Sequence, residues 1–242
     1  MQANAAPVKL AASSSAFVRA FESGDLTQLE FLDHAARVLE ADGVVLDVRQ
    51  FPRTDVEYLA QVKKMAADLG LCITAIVDSR FFSADTTHME TSLGIATATG
   101  APLLGAPLAL ETAFPWSEQL TKLSEATSLA KQANVTLAVR NAPGTFAASS
   151  HDCKRVSKEA DSAWLRFGLD PAAFDGASDL SGLEPKRVLL WQSIDAPVPA
   201  DGYAFIGFVA LDRADGSCTL PEMQRALREW RRARATFELN RT

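Results

Sequence analysis

Arg140, Asp170 and Asp212 each follow a run of apolar residues: Thr136-Leu137-Ala138-Val139, Phe167-Gly168-Leu169 and Phe208-Val209-Ala210-Leu211. An apolar run covered on both faces is what a parallel sheet under helices requires, and the carboxyl ends of such strands are where α/β folds keep their chemistry. Carboxylates there can move protons, and a guanidinium can stabilise developing negative charge. The same guanidinium is a planar fork for a carboxylate or phosphate on a ligand. Strand alternation, with every second residue pointing inward, brings further residues to the same end. They are Asp47 and Arg49 after Val44-Val45-Leu46, Asp78 and Arg80 after Leu71 to Val77, Asn141 beside Arg140, and Gln192 in Arg187 to Ile194. Four carboxylates then meet three guanidiniums. Unpaired buried ions cost several kcal/mol, so Arg140 is expected between Asp170 and Asp212. The catalytic candidates are Asp170, Asp212, Asp47 and Arg140, and the ligand-binding candidates are Arg49, Asp78, Arg80, His88, Asn141 and Gln192. A competing reading is that these ions satisfy one another and do nothing else.

Other residue types offer less. His88, with Glu90 two residues on, can reach the strand ends from near the third strand, whereas His34 and His151 fall in helical stretches. Ser149-Ser150-His151-Asp152 has the residue types of a nucleophilic triad, but sequence neighbours point in different directions, so a helix N-cap is the better account. Phe81, Phe82 and Trp116 follow strand ends and are expected to pack on the rim. Cys72, Cys153 and Cys218 are widely spaced and make neither a disulfide framework nor a cysteine zinc site.

The elements that position these residues alternate. Pro7 to Ala12 reads as a first strand. Leu29, Leu32, Ala36 and Leu39 recur at helical spacing up to Asp42-Gly43, and Val44 to Val48 is the next strand. Leu59, Val62, Ala66 and Leu69 stripe a helix before Leu71 to Val77. A helix over His88 to Thr99 precedes Pro102 to Leu108, and Leu120, Leu123, Ala126 and Ala130 stripe the helix before Val135 to Val139. A short helix over Asp152 to Ala160, a strand over Ala163 to Leu169 and a helical piece from Pro171 follow. Arg187 to Ile194 and Tyr203 to Leu211 are the last strands, and Met223, Ala226, Leu227, Trp230 and Phe237 stripe a final helix. Eight strands alternating with helices predict a single-domain (β/α)8 TIM barrel over residues 1–242. Only Asp195 to Gly202 separate the last two strands. A helical crossover takes a dozen residues or more, whereas eight extended residues at about 3.3 Å each span roughly 26 Å, so the helix between strands seven and eight is expected to be missing.

The formal charge of -6 gives no electrostatic reason to expect nucleic acid or an anionic membrane. The basic run from Arg225 to Arg234 is expected to be a solvated helix face. No apolar run approaches the roughly 20 residues of a membrane span, and residues 1–7 lack the pattern of a signal peptide, so a cytoplasmic protein is expected. Self-association is left open.

Leu26 to Asp33, Ala41 to Asp47, Asp68 to Leu71, Ala98 to Pro102 and Val135 to Asn141 together resemble the xylose isomerase-like TIM barrels, the sugar phosphate isomerase/epimerase group. The resemblance implies a divalent metal held by a glutamate after the fifth strand, an aspartate after the sixth, a histidine on the seventh and a glutamate on the eighth. Here Arg140 stands for the first, Asp170 is kept, Gln192 replaces the histidine, and Asp212 is a shortened counterpart of the last. A guanidinium repels a cation and Gln is a poor ligand beside imidazole, so no metal and no other cofactor is expected. Two readings remain. One is a diverged isomerase or epimerase binding a small sugar-like or sugar-acid molecule. The other is a non-catalytic barrel serving as a binding or scaffold protein beside an active paralogue. Abasic-site nuclease chemistry, which related barrels perform, is disfavoured for want of a metal shell and a basic face.

Overall fold

The computed structural model describes residues 9–174, 183, 186–196 and 207–239. Eight parallel strands close into a barrel in chain order: β1 Lys9–Ser13, β2 Gly43–Asp47, β3 Cys72–Val77, β4 Leu103–Pro107, β5 Thr136–Arg140, β6 Leu165–Leu169, β7 Arg187–Ser193 and β8 Phe208–Asp212. The ring closes where β1 pairs with β8, Ala11 beside Ala210. Helices α1 Val18–Ser23 and α2 Gln28–Arg37 follow β1. Then come α3 Val56–Asp68, α4 Thr86–Thr99, α5 Trp116–Ala133 and α6 Ser150–Ala160, each after its strand, and α7 Leu220–Leu239 follows β8. The barrel expected from the alternation is therefore present. Between β7 and β8 no helix occurs among the described residues, but the expected gap falls largely on residues 197–206, outside the described ones. No helix among the described residues is long and apolar enough to cross a membrane.

Local chemistry sets the helix starts. Thr27 and Glu30 form a capping box on α2, Ser149 and Asp152 another on α6, and Asp55 and Asp85 accept from the first turns of α3 and α4. Helix α2 stops at Arg37, earlier than the Asp42-Gly43 end expected, because Gly43 opens β2 and the Asp42 carboxylate accepts from Leu10 N at 2.8 Å. The basic run on α7 is not wholly a solvated face either. Arg231 reaches across to the carbonyls of Leu39 (2.5 Å) and Glu40 (2.6 Å) after α2.

Two layers of side chains fill the structure. Leu46, Ile76, Leu104, Val139, Phe167, Leu190 and Leu211 point outward from the strands and pack with the helices in one large core. Inside the barrel the middle is lined by Ala11, Val45, Ala75, Leu189 and Ala210, and the indole of Trp191, fully buried, occupies the space these mostly small residues leave. Gly105 and Gly168 face that indole from β4 and β6. Two β-bulges interrupt the alternation: Thr74 is the extra residue of β3 and Val188 that of β7.

Filling by one large ring makes the barrel sensitive at its glycines. A side-chain carbon at Gly168 would lie 3.0 Å from Trp191 Nε1 and 3.5 Å from Leu189 Cβ. Gly168→Ala is expected to cost about 1–3 kcal/mol in urea unfolding. Gly94→Ala, exposed in α4 with nothing within 4 Å of the added carbon, is expected to stabilise by about 0.5–1 kcal/mol in the same assay.

Candidate active site at the carboxyl end of the barrel

Four consecutive strands build the site. Arg140 is the last residue of β5, Asp170 follows β6, Trp191 lies in β7 and Asp212 ends β8. Because Ala138, Gly168, Leu189 and Ala210 point inward, strand parity turns all four side chains into the barrel. The Arg140 guanidinium carbon lies over the Trp191 ring, 4.2 Å from its centroid. Its Nη1 donates to Asp212 Oδ2 at 3.1 Å, and its Nη2 is 3.7 Å from Asp170 Oδ2. The pairing expected from the sequence is present. The indole supplies a π face to the cation, and the two carboxylates attract its Nη1 and Nη2.

The two carboxylates are not equivalent. Asp212 is the more buried, 6% exposed against 14% for Asp170, and its Oδ1 also accepts from Arg213 N at 2.9 Å. Asp170 Oδ1 accepts from Ala172 N at 3.0 Å. Burial pushes the Asp170 carboxyl above the ordinary aspartate range; Arg140 opposes this, and the neighbouring Asp212 charge adds to it. Burial thus opposes the charge of Asp170, while Asp212 is fixed in a charge-assisted hydrogen bond to Arg140.

The remaining expected residues lie elsewhere. Asp47 is buried at the end of β2, across the barrel, and Arg49 pairs with it through Nη2 to Oδ2 at 2.6 Å. Beyond Asp47 the chain turns into a 3-10 helix, so Arg49 reaches Asp47 by that turn and not by strand parity. Arg49 also borders a cavity of about 250 Å³ walled by Phe21, Glu22 and Phe51. Asp78 points away from Arg140 into the helix layer, where Oδ2 accepts from Ser92 Oγ at 2.7 Å and lies 2.6 Å from His88 Nε2. Thus Asp78 and His88 tie β3 to α4, and Arg80 is exposed, its backbone N–H bound to Asp78 Oδ1. Asn141 extends the sheet: its amide donates to Asp170 O at 2.9 Å and its carbonyl accepts from Asp170 N at 2.7 Å. Gln192 follows the inward Trp191 and shares the outward face with Leu190. The sequence reading missed Trp191, the inward residue of β7. The signal was the run of Ala and Gly on neighbouring strands, which leaves room only a large ring fills.

No family model matches the chain, and no curated protein does. Solved structures do. D-psicose 3-epimerase from Clostridium cellulolyticum H10, in its structure with D-tagatose, superposes with a TM-score of 0.76 at 12% identity, covering 95% of this chain and 99% of that one. The xylose isomerase domain protein from Planctomyces limnophilus gives 0.72 at 13%, covering 96% and 98%. The chain has the xylose isomerase-like barrel fold. Another barrel of that fold, a probable 3-DHS dehydratase from Bacillus anthracis involved in petrobactin synthesis, gives 0.73 at 14%, covering 93% and 99%.

Asp170 supplies a test of the site's electrostatics. A carboxyl whose folded-state pKa lies above its unfolded value binds more protons folded than unfolded, so its ionisation costs stability at neutral pH and acid removes the cost. Asp170→Asn keeps the acceptor for Ala172 N and removes the charge. The variant is expected to melt above wild type at pH 7, and the difference is expected to vanish toward pH ~3, below the ordinary aspartate value of about 3.9. Thermal melts across that range measure both.

Proposed function

We propose that this xylose isomerase-like barrel binds a small polyhydroxylated, sugar-like molecule at its carboxyl end, with Asp170 and Asp212 as proton-transfer groups and Arg140 as the electrophile. The observation that carries the reading is the Arg140 guanidinium held over Trp191 between two carboxyls, one of which, Asp170, has its pKa raised by burial. A ligand carbonyl or hydroxyl that accepts from Arg140 would sit beside Asp170, whose raised pKa suits a group that takes and returns a proton. Asp212 accepts from Arg140 Nη1 at 3.1 Å and keeps the guanidinium in place. The sugar epimerases among the similar structures support the ligand class.

Charge favours a neutral sugar over a sugar acid. Two carboxyls already face one guanidinium, so an anionic ligand would compete with Asp212 for Arg140 and gain little net attraction. Arg49 and its adjoining cavity offer a place for the far end of such a ligand.

The proposed chemistry runs without the divalent metal that the fold family suggests. The donor set does not fit one: a guanidinium stands between the two carboxylates, Gln192 follows the inward Trp191 and falls on the outward face of β7, and no group of three or more His, Cys, Asp or Glu among the described residues is arranged to hold an ion. A non-catalytic binding or scaffold role is the second reading, favoured by the mutual satisfaction of Arg140 with Asp170 and Asp212.

Calorimetry against a panel of ketoses, aldoses, polyols and sugar acids separates the two. Binding of neutral sugars, lost by roughly ten-fold or more in Arg140→Gln, is expected; no binding anywhere in the panel favours the scaffold. Thermal shifts with Mg²⁺, Mn²⁺, Co²⁺ and Zn²⁺ are expected to be flat for wild type. Arg140→Glu, which places a third carboxylate there, is expected to gain a Mn²⁺-dependent shift.

A further inference from the structure

The opposite end of the barrel holds a cavity that the carboxyl-end site does not use. It encloses about 470 Å³ among β3, β4, β7, β8 and the packed ends of α3 and α4. In a (β/α)8 barrel this end is ordinarily filled by a layer of bulky side chains. Here it is not, for reasons visible in the chain. Gly43 brings no side chain from β2, and its place is taken by Thr74 Oγ1 and Phe208 Cε1, which a carbon added there would meet at 2.8 Å and 2.9 Å, so neither atom fills the cavity. The two β-bulges then turn Thr74 and Val188, small and medium residues, toward the cavity where alternation would have placed others.

Its wall has a definite chemistry. Leu103, Val188 and Phe208 line it and are only partly buried, so apolar surface is left facing open space. The Thr74 hydroxyl, in a residue 4% exposed, has no hydrogen-bond partner among the described residues. A buried hydroxyl without a partner costs about 1–3 kcal/mol. Lys63 is the one charged residue in the wall, and no carboxylate accompanies it among the described lining residues. Its Nζ lies 3.5 Å from where a side chain on Gly100 would begin, at the rim. Cys72, also in the wall, is exposed.

We propose that this cavity is a second binding site, for a small carboxylate with an apolar body and a polar group at its far end. The carboxylate would pair with Lys63, the body would lie on Leu103, Val188 and Phe208, and the far group would complete the hydrogen bonding of Thr74. An apolar cleft of this size with a few convergent polar groups is the usual form of a small-molecule site. The site lies at the other end of the barrel from Arg140 and stands or falls independently of the function proposed there.

Cys72 provides the reporter. Cys153 and Cys218 are buried, with thiols pushed up to about 12 by burial, so native iodoacetamide modification reads Cys72 alone. The full chain is modified in the presence of 4-hydroxyphenylacetate or phenylacetate. Both are expected to slow the reaction saturably, the hydroxylated probe at roughly five-fold lower concentration, the worth of one hydrogen bond. Thr74→Val is expected to equalise the two probes. Lys63→Gln, on the exposed side of α3, is expected to weaken both by roughly three-fold. Val188→Trp is expected to remove protection while the thermal melt reports whether the fold survives; the milder Thr74→Val carries the test if it does not. No protection by either probe, equal protection in wild type, or protection unchanged in Lys63→Gln and Thr74→Val would each overturn the proposal. A modification rate that depends on protein concentration and not on probe would assign the face to a second copy of the chain, with the same result.

Discussion

A guanidinium laid on a buried indole between two carboxylates is the interaction around which the carboxyl end of this barrel is arranged. Each member has a structural precondition. Arg140 can extend inward because β5 carries Ala138 below it. Trp191 can lie flat because Gly105 and Gly168 leave space on its flanks. Asp170 is held at the right height by Asn141, whose amide mimics a peptide group and continues the β5–β6 ladder one step past the strands. The small lining of the barrel and the charge cluster at its end are thus one solution: the indole fills the interior and serves as the platform for the cation.

That solution has costs that fall on the site. The Trp191 Nε1–H is buried with no acceptor among the described residues, and the Asp170 carboxyl is held where burial opposes its charge. An apolar repacking of Arg140, Asp170 and Asp212 would relieve the second of these, since replacing buried ions by well-packed hydrophobes is often neutral or stabilising. Electrostatic cost of this kind at the open end of a barrel is a feature that binding and catalytic sites share with structural ion-pair networks.

Much of this was legible in the chain. Apolar runs separated by helical stripes located all eight strands, and the charges at their ends placed Arg140, Asp170 and Asp212 together because β5, β6 and β8 keep regular alternation up to their last residues. Parity failed where the backbone leaves the ideal strand. In Arg187-Val188-Leu189-Leu190-Trp191-Gln192-Ser193 nearly every residue is buried, so hydrophobicity carries no inward or outward signal, and the bulge at Val188 shifts the count. Gln192 was therefore placed inside and Trp191 overlooked. Asp78 sits one residue beyond the inward Val77, and only the positions of Ser92 and His88 on α4, a tertiary fact, explain why its carboxylate is satisfied in the helix layer.

The contact of Arg231 with the carbonyls of Leu39 and Glu40 joins the final helix to the turn after α2, across 192 and 191 residues of chain, at the same seam where β1 meets β8. Such pairings bring the highest loop-closure penalty in the molecule and come last in any ordered assembly. On the ribosome, the first strands must wait with one hydrogen-bonding edge unsatisfied until the closing strand and helix have emerged. A nascent chain of this kind carries a sticky, sheet-like edge until the closing strand has emerged.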